Sequence, residues 1–392
     1  MKKGWEYKKL GEIATEMYRG SGIKRDQVTK EGTPCVRYGE IYTTYNISFN
    51  TCVSHTSIQN IASPKYFEHG DLLFAITGES VEDIGKTIAY LGNDKCLCGG
   101  DIICMKHRQN PKYLAYALST PDAIRQKGIG KTKLKVVHTN APALKAISIP
   151  LAPLSEQQSI VDYLDSAFAK IDAMKANAEK ALNEAKALFQ ASLKEMLEPK
   201  ENVKMSTIGD LFETYSGGTP TKSNKEYYEG GSIPWLRSGE VCQKEITETE
   251  MFITEKGLRE SSAKYYPKNT VVVAMYGATA AQVGILRIKS TSNQAVCGIL
   301  PHKDFLPEYV YYWFRSIEDK LAAQAQGGAQ PNISQQKIKK VEIPIYSMSE
   351  QQSIVETLDS LKSKVDRLQE NFDKISQECD ALKQAILRQV FE

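Results

Sequence analysis

Two segments of the chain repeat apolar residues at alternating steps of three and four, a spacing that places them on one face of an α-helix. A seam that keeps this 3.5-residue period for six turns or more predicts a coiled coil. Each segment begins Ser-Glu-Gln-Gln, which predicts a capping box with Ser155 or Ser349 as the cap and the glutamine three residues later reaching back. The predicted seams are Ile160, Leu164, Ala167, Ile171, Met174, Ala178, Ala181, Ala185, Leu188 and Ser192 in the first segment, and Ile354, Leu358, Leu361, Val365, Leu368, Phe372, Ile375, Cys379, Leu382 and Ile386 in the second.

The two helical segments belong to a longer internal repeat. Residues 155–166 and 349–360 share ten of twelve amino acids at an offset of 194 positions. Weaker matches precede them, because LGEI corresponds to IGDL, PCVRYGEI to PWLRSGEV, and NPKYLAY to LPEYVYY. The chain is therefore two copies of one unit of about 195 residues, each a globular part followed by a long helix.

The globular parts, residues 1–154 and 202–348, contain short apolar runs such as DLLFAIT and TVVVAMYG, broken by Gly, Pro and Asn. Such runs, alternating with short helical stretches, predict mixed α/β domains. One helical seam is rich in Ala and the other in bulky residues, so we expect the two helices to pair with each other. The predicted fold class is α+β, with two pseudo-symmetric mixed α/β domains joined by a long antiparallel two-helix coiled coil at 155–201 and 349–392.

Charge separates the globular parts from the helices. The whole chain has 392 residues and a net charge of only +3, which by itself does not indicate nucleic acid. By segment the net charge is +7 over 1–154, −3 over 155–201, +2 over 202–348 and −3 over 349–392. This partition favours phosphate contacts by the globular parts and protein contacts by the helices.

The hydropathy of the chain bears on its location. No apolar stretch approaches the ~20 residues that span a bilayer. The basic start, MKKGWEYKKL, has no apolar run behind it and so does not resemble a signal peptide. We therefore expect a cytoplasmic protein without membrane contact.

Two glycine-containing segments, 125–140 and 324–340, lie at equivalent places in the repeat, before the strand that leads into each helix. Both are rich in Arg, Lys, Gln or Asn, which hold phosphates and bind base edges in DNA. A solvated loop remains the alternative for the lysine run, and a buried core position remains the alternative for Trp235. The candidate DNA-binding residues are Arg19, Arg37, Arg125, Lys127, Lys131, Lys133, Lys135, Asn140, Thr219, Trp235, Arg237, Gln324, Gln326, Gln330, Asn332 and Lys337.

Motifs of known catalytic sites are absent or incomplete. Gly85-Lys86-Thr87 and Gly130-Lys131-Thr132 resemble the end of a phosphate-binding loop but lack its first glycine. No HExxH, no GxSxG and no amino-methyltransferase tetrapeptide of the N-P-P-[YFW] type occurs. The eight cysteines lack the spacing of a zinc site. We expect no catalytic residue, no cofactor and no metal in this chain.

Taken together, these features resemble the specificity subunit of type I restriction–modification enzymes, the HsdS family. The resemblance covers the whole chain and is most specific in Ile149-Pro150 with LSEQQSIV and Ile343-Pro344 with MSEQQSIV. SGGTP, IPWLRSGEV, MYGAT and GGAQPNIS in the second globular part also match. The first globular part departs from the pattern, with RGSG for SGGTP, ITGES for MYGAT and only GKTKLKVVHTN for GGAQPNIS.

The resemblance implies a non-catalytic subunit whose globular parts are target recognition domains, each reading one half of a bipartite sequence in double-stranded DNA. It also implies that the coiled coil sets the length of the unread spacer. The repeated regions would recruit two methyltransferase (M) subunits, which restriction (R) motor–nuclease subunits then join. S-adenosylmethionine, ATP and Mg²⁺ would be used by those partners.

Two other classes of protein remain open at this point. A coiled-coil adaptor that holds two ligand-binding domains, without nucleic acid, accounts for the repeat but not for the charge partition or the loop composition. A standalone nuclease or methyltransferase would need motifs that the chain lacks.

Overall fold

The computed structural model describes residues 4–130, 136–324 and 332–392. The chain divides into two compact units. The first unit contains residues 1–178 and 372–392, and the second unit contains residues 179–371. Each unit thus combines one globular part with the beginning of one long helix and the end of the other.

In its described residues, the first unit contains four small sheets. Its strands are β1 (Glu6–Lys9), β2 (Ala14–Arg19), β3 (Val28–Thr29), β4 (Thr33–Val36), β5 (Ser48–Phe49), β6 (Ser54–Thr56), β7 (Tyr66–Phe67), β8 (Leu72–Ala75), β9 (Thr77–Gly78), β10 (Thr87–Tyr90), β11 (Cys96–Cys98), β12 (Ile102–His107), β13 (Val137–His138) and β14 (Ser148–Leu151). The sheet orders are β2-β12-β8-β10-β5, β3-β6-β4-β11-β7, β1-β14 and β13-β9.

The helices of the first unit are α1 (Leu10–Ile13), α2 (Tyr38–Thr43), α3 (Pro111–Ala117), α4 (Pro121–Gly128), α5 (Ala141–Lys145) and the long α6 (Leu154–Leu197). All but α2 pack on one side of the main sheet, and α2 packs on the other. The core of this unit joins side chains of β8 and α3 to Leu387 and Phe391, near the end of the chain. Phe391 packs edge-on against Trp5, with ring centroids 6.2 Å apart.

The second unit repeats this plan with fewer strands. They are β15 (Met205–Thr207), β16 (Thr214–Ser216), β17 (Ile233–Leu236), β18 (Glu245–Ile246), β19 (Phe252–Ile253), β20 (Val271–Ala274), β21 (Val283–Leu286), β22 (Thr291–Ser292), β23 (Val296–Ile299) and β24 (Glu342–Pro344). Its helices are α7 (Ile208–Leu211), α8 (Glu255–Arg259), α9 (Pro307–Ser316), α10 (Glu318–Ala323), α11 (Gln335–Lys339) and the long α12 (Met348–Phe391).

The main sheets of the two units have the same topology. The order β16-β23-β20-β21-β18 matches the main sheet of the first unit strand for strand. In both, the last strand joins in parallel and the other pairs are antiparallel. The second sheets differ, because the order β19-β17-β22 has three strands against five in the first unit. The predicted mixed α/β domains are confirmed.

Within each unit the two long helices run antiparallel. In the first unit, Lys175 Nζ lies 3.8 Å from Asp380 Oδ2, while Asp172 pairs with Lys383, so one residue number falls as the other rises. In the second unit, Lys186 Nζ donates to Gln369 Oε1 at 2.8 Å. The predicted antiparallel pairing is therefore confirmed inside both units.

The predicted seam of α6 is only partly correct. Leu164 and Ile171 are buried as predicted, and Ile160 and Ala167 are half-buried against the core of the first unit. Met174 and Leu188 are wrong, because they are 58% and 59% exposed. Toward the end of the helix the buried positions lie one residue later, at Leu182 and Phe189, and Phe189 packs in the core of the second unit. In α12 the predicted seam holds as far as Cys379, but Leu382 is 46% exposed.

The predicted capping boxes are also displaced. Helix α12 begins one residue before Ser349, and its cap is Ser347, whose Oγ accepts from Glu350 N at 3.3 Å. Glu350 Oε2 in turn accepts from Ser347 N at 3.0 Å. Ser155 likewise lies inside α6, because that helix begins at Leu154. The capping bonds of α12 thus join Ser347 to Glu350 and do not involve the glutamines of the repeat.

None of the helices in the described parts of the chain combines the length and apolar character that a membrane span requires.

Candidate nucleic-acid interface

The first glutamine of each repeat attaches the long helix to its globular part. Gln157 is fully buried, accepts from Asn110 N at 2.9 Å and donates to Ala152 O at 2.9 Å. Gln351, equally buried, accepts from Leu306 N and donates to Tyr346 O, both at 2.9 Å. Because each amide pairs a backbone N–H before α3 or α9 with a backbone carbonyl before the long helix, the repeat fixes the domain on the helix.

An aspartate about two turns after each of these glutamines makes a second attachment. Asp165 accepts from Tyr116 Oη at 2.7 Å and forms an ion pair with Lys112. Asp359 accepts from Tyr312 and pairs with Lys244. The near-identity of the two repeated segments therefore has a structural cause within each unit.

In the second unit, the MYGAT and NIS segments lie side by side. Tyr276 and Asn332 form an isolated antiparallel bridge, and Ile333 N donates to Met275 O at 2.8 Å. Ser334 then caps α11 by accepting from Lys337 N. Asn332 is exposed and Tyr276 is 38% exposed, so an aromatic ring and an amide are presented together at the surface.

The first unit builds the same arrangement from unlike residues. Strands β9 and β13 pair Thr77 with His138, and Thr77 Oγ1 lies 3.1 Å from His138 Nδ1. Thr139 N donates to Ile76 O at 2.9 Å, as Ile333 does to Met275. Asn140 caps α5 by accepting from Ala143 N at 3.0 Å, as Ser334 caps α11. The segment HTN therefore occupies the place of NIS.

Three surface residues were missed by the sequence prediction: Thr77, His138 and Tyr276. Only the weak correspondence of ITGES with MYGAT, and of the end of GKTKLKVVHTN with NIS, could have indicated them. Their pairing depends on backbone hydrogen bonds between segments about 60 residues apart, which no local pattern reveals. We name Thr77 and His138 the first-unit pair, and Tyr276 and Asn332 the second-unit pair.

Arg37 and Arg237 occupy equivalent positions, each held by a glutamate three residues later. Arg37 N donates to Glu40 Oε2 at 3.0 Å, and Arg237 N donates to Glu240 Oε2 at 2.9 Å. Each guanidinium also contacts the same carboxylate, and that of Arg237 pairs in addition with Glu250. Both arginines are thus preorganised by their own units.

Arg37 lines a hollow in the first unit. This hollow has a volume of about 790 Å³ and is also lined by Lys24, Arg25 and Tyr38. Arg19 lies beside it, because its side chain donates to Gly100 O and pairs with Asp101, which line the hollow. The lining also contains Glu40 and Asp101, so its net positive charge comes from Lys24 and Arg25, and such a concave surface suits a phosphate backbone.

The SGGTP segment of the second unit is closely packed. A Cβ on Gly217 would lie 2.1 Å from Ser292 Oγ, and Gly218 O accepts from Trp235 Nε1 at 3.0 Å. Thr219 is held by a hydrogen bond to Gln294. In the RGSG segment of the first unit, a Cβ on Gly20 would lie 2.2 Å from Gly99 O, so the two segments correspond.

Two of the predicted DNA-binding residues are corrected by their burial. Trp235 is only 3% exposed and packs edge-on against Tyr228, so it is a core residue. Lys127 is 6% exposed and donates to Leu118 O at 2.8 Å and Thr87 Oγ1 at 3.1 Å. Burial lowers the pKa of Lys127 to about 7. Neither side chain reaches a surface on which DNA could lie.

The remaining candidates have local partners or lie outside the described residues. Arg125 is exposed and pairs with Asp122, and Lys337 donates to Gln324 O at the end of α10. Their contact with DNA stays a prediction. The same holds for the candidates outside the described residues, which are Lys131, Lys133, Lys135, Gln326 and Gln330.

Across residues 4–130, 136–324 and 332–392, no group of three or more His, Cys, Asp or Glu side chains is arranged to hold a metal ion. The cysteines in these ranges are free thiols, and most of them are buried.

Comparison with protein families gives two matches along the chain. The model of the type I restriction modification DNA specificity domain matches residues 2–184 and again residues 200–377. Each match contains one globular part and the beginning of the long helix that follows it. The repeat found in the sequence is therefore a repeat of this domain.

Individual relatives agree with the family match. The chain is 29% identical over 231 residues to the EcoR124I/EcoR124II specificity subunit of Escherichia coli, a match that covers 57% of this chain and 56% of that subunit. The matched segment thus spans little more than half of that relative. The chain is 25% identical over 383 residues to the putative MjaX specificity subunit of Methanocaldococcus jannaschii, covering 91% of this chain and 86% of that one.

A solved structure shares the fold over nearly the full length. It is a chain from a type I restriction–modification system, studied for its complex assembly and conformational transition. The two superpose with a TM-score of 0.79 at 18% identity, covering 99% of this chain and 97% of the other.

Proposed function

The chain belongs to the family of type I restriction modification DNA specificity proteins, and from this premise we propose that it is the specificity subunit of such an enzyme. Each globular part would be a target recognition domain that reads one half of a bipartite sequence in double-stranded DNA. The adaptor without nucleic acid finds no support in the family match or in the relatives.

The observation that carries the proposal is the contrast between shared scaffold and different surface. Gln157 and Gln351 make the same hydrogen bonds, whereas the first-unit pair and the second-unit pair place different chemistry on the same frame. Asn is suited to bidentate bonding with adenine, while Thr and His offer other donors, acceptors and an apolar methyl. Two domains that read different half-sites need a common scaffold with different residues on its surface.

Phosphate contacts would come from the basic surface of each domain. The hollow lined by Lys24, Arg25 and Arg37 supplies positive charge on the domain that carries the first-unit pair. Residues 1–154 carry a net +7 against +2 for residues 202–348. Since phosphate contacts give affinity without sequence preference, the first domain would contribute more of the salt-dependent binding.

The long helices would act as spacer and assembly platform. Lengthening or shortening α6 and α12 would change the distance between the half-sites that the domains read. Two M subunits would dock on the repeated regions, and R subunits would join them. The reaction chemistry, with S-adenosylmethionine, ATP and Mg²⁺, would belong to those cytoplasmic partners, and this chain would be non-catalytic.

Co-purification with the methyltransferase subunit, followed by sequencing of methylated DNA from cells with and without the gene, tests the proposal. We expect a stable complex and one bipartite methylated motif that disappears with the gene. A chain that neither binds the methyltransferase nor changes the methylation pattern would rule the proposal out.

A further inference from the structure

A cavity of about 240 Å³ lies in the first unit, among the globular part, α6 and the end of α12. Its lining includes Lys86, Lys127 and Gln384, with an apolar wall that contains Leu118 and Leu387. For comparison, an apolar cavity of roughly 150 Å³ is large enough to hold benzene. The cavity therefore has room for a ring-sized molecule.

Two amines face this cavity without an acidic partner. Lys86 Nζ donates only to Tyr45 O at 3.2 Å and Tyr42 O at 3.4 Å, and Lys127 Nζ only to a hydroxyl and a carbonyl. Among the described residues, no carboxylate oxygen lies within 4 Å of either amine. Glu82 and Asp83 line the same cavity, but Asp83 accepts instead from Ser80 Oγ at 2.7 Å.

Burial makes these unpaired charges costly. Burial lowers the pKa of Lys86, and the charge of Asp83 offsets only part of this shift. Burial also lowers the pKa of Lys127 to about 7. A third lysine of the lining, Lys383, differs because it pairs with Asp172. A buried cation without a counter-ion is destabilised, so an anion in the cavity would favour the charged form of both amines.

The lining also contains a polar atom that lacks a hydrogen-bond partner. The Gln384 Oε1 atom is buried and has no hydrogen-bond partner in the structure. Because rotation of the amide exchanges its oxygen and its NH₂ group, this side chain can offer a ligand either an acceptor or a donor. The cavity thus combines two amines, one amide and an apolar wall.

From this arrangement we propose that the cavity is a binding site for a small organic anion, a phosphate or carboxylate that carries an apolar group of about ring size. The anionic group would lie between Lys86 and Lys127, with Gln384 bonding to it and the apolar group against Leu118 and Leu387. Because Gln384 and Leu387 lie on α12, binding would also stabilise the attachment of that helix to the first unit.

The second unit offers a natural comparison for Lys86. Ala75 N donates to Lys86 O at 3.0 Å, and Ala274 N donates to Gln282 O at 2.8 Å, so Gln282 is the equivalent residue. The chain therefore tolerates glutamine at this place in the fold. Lys86→Gln removes the amine with little expected damage to folding.

Phenyl phosphate is the probe for this site, titrated into the full chain by calorimetry. We expect saturable binding to the unsubstituted chain and binding at least about tenfold weaker to Lys86→Gln, since a hydrogen bond to a charged group is worth a factor of this order. Lys127→Met removes the other amine and should act in the same direction. Lys170→Gln, an exposed lysine of α6, is the matched control and should bind normally.

Three outcomes would overturn the proposal. They are the absence of saturable binding, equal affinity of the unsubstituted chain, Lys86→Gln and Lys127→Met, and displacement of phenyl phosphate by duplex DNA. The last would show that the amines serve the phosphate backbone of DNA instead. Hydrogen exchange gives the location, because bound phenyl phosphate should slow the amides of residues 383–387, and slowing only elsewhere would place the ligand outside this cavity.

Discussion

The two units carry the same attachment of helix to domain but differ in what surrounds it. His107 and His302 show the difference most simply, because each Nδ1 accepts from the backbone N–H two residues later, at 3.1 and 3.2 Å. Burial of its ring lowers the pKa of His107 to about 4, and its Nε2 atom is buried without a hydrogen-bond partner among the described residues, whereas the side chain of His302 is 31% exposed. The hydrogen bond is thus common to both units, while its surroundings differ.

The buried glutamines should show the largest effect. Gln157→Ala or Gln351→Ala leaves a backbone N–H and a carbonyl unpaired in the interior, so we expect each to lower the free energy of unfolding of its own unit by about 3 kcal/mol. Native-state hydrogen exchange, resolved by peptide, measures this separately in the two units. The controls are Gln158→Ala and Gln352→Ala at exposed positions, and equal losses from these would contradict the assigned role.

The second largest effect should be a difference between the two units in how their stability depends on pH. A histidine with a lowered folded-state pKa binds protons more readily when unfolded, so its unit is stable above pH 6.5 and loses stability as the pH falls toward 4. Between pH 7.5 and pH 5 we expect a loss of about 2 kcal/mol in the first unit from His107. His107→Asn, which keeps an acceptor, should remove this slope.

Exchange of the surface pairs should change recognition in one half-site only. We expect Thr77→Tyr with His138→Asn to alter preference at one or two base pairs of a single half-site by about tenfold, because base contacts are worth this much discrimination. Sequencing of methylated DNA measures it, with Tyr276→Thr and Asn332→His as the reciprocal variant. A change in both half-sites, or in neither, would refute the assignment of these pairs.

The basic hollow should give the smallest effect. Lys24→Gln with Arg25→Gln should reduce the slope of log affinity against log salt by about one per lost phosphate contact, without changing the target sequence. Lys222→Gln, at an exposed lysine two residues after the SGGTP segment, is the comparison in the second unit. An altered target sequence in the first variant would place these side chains on bases.

The sequence predicts what depends on local periodicity and fails where distant segments meet. The long helices and their pairing follow from spacing that repeats over many turns. The later part of the α6 seam is wrong by one residue, because Phe189 packs in the core of the second unit. Because Gln157 is polar, the sequence suggests a surface position for it. The backbone groups to which it bonds are evident only in the folded structure.

The same reasoning applies to the candidate interface. Lys127 stands in a basic run that is typical of an exposed loop, yet its last helical turn directs the amine toward Leu118 and Thr87. Thr77 and His138 meet only through the pairing of β9 with β13. Such contacts between distant segments are decided by the tertiary fold, which single-residue chemistry does not determine.

The packing of Phe391 against Trp5 has a consequence for the order of folding. The second unit is one continuous segment, residues 179–371, and can form as soon as it has been synthesised. The first unit needs Leu387 and Phe391 in its core, so it cannot be completed until these residues have been synthesised. Domains usually fold in the order of their synthesis. Here the domain that begins first is finished last, and the apolar face that binds the end of α12 is uncovered until then.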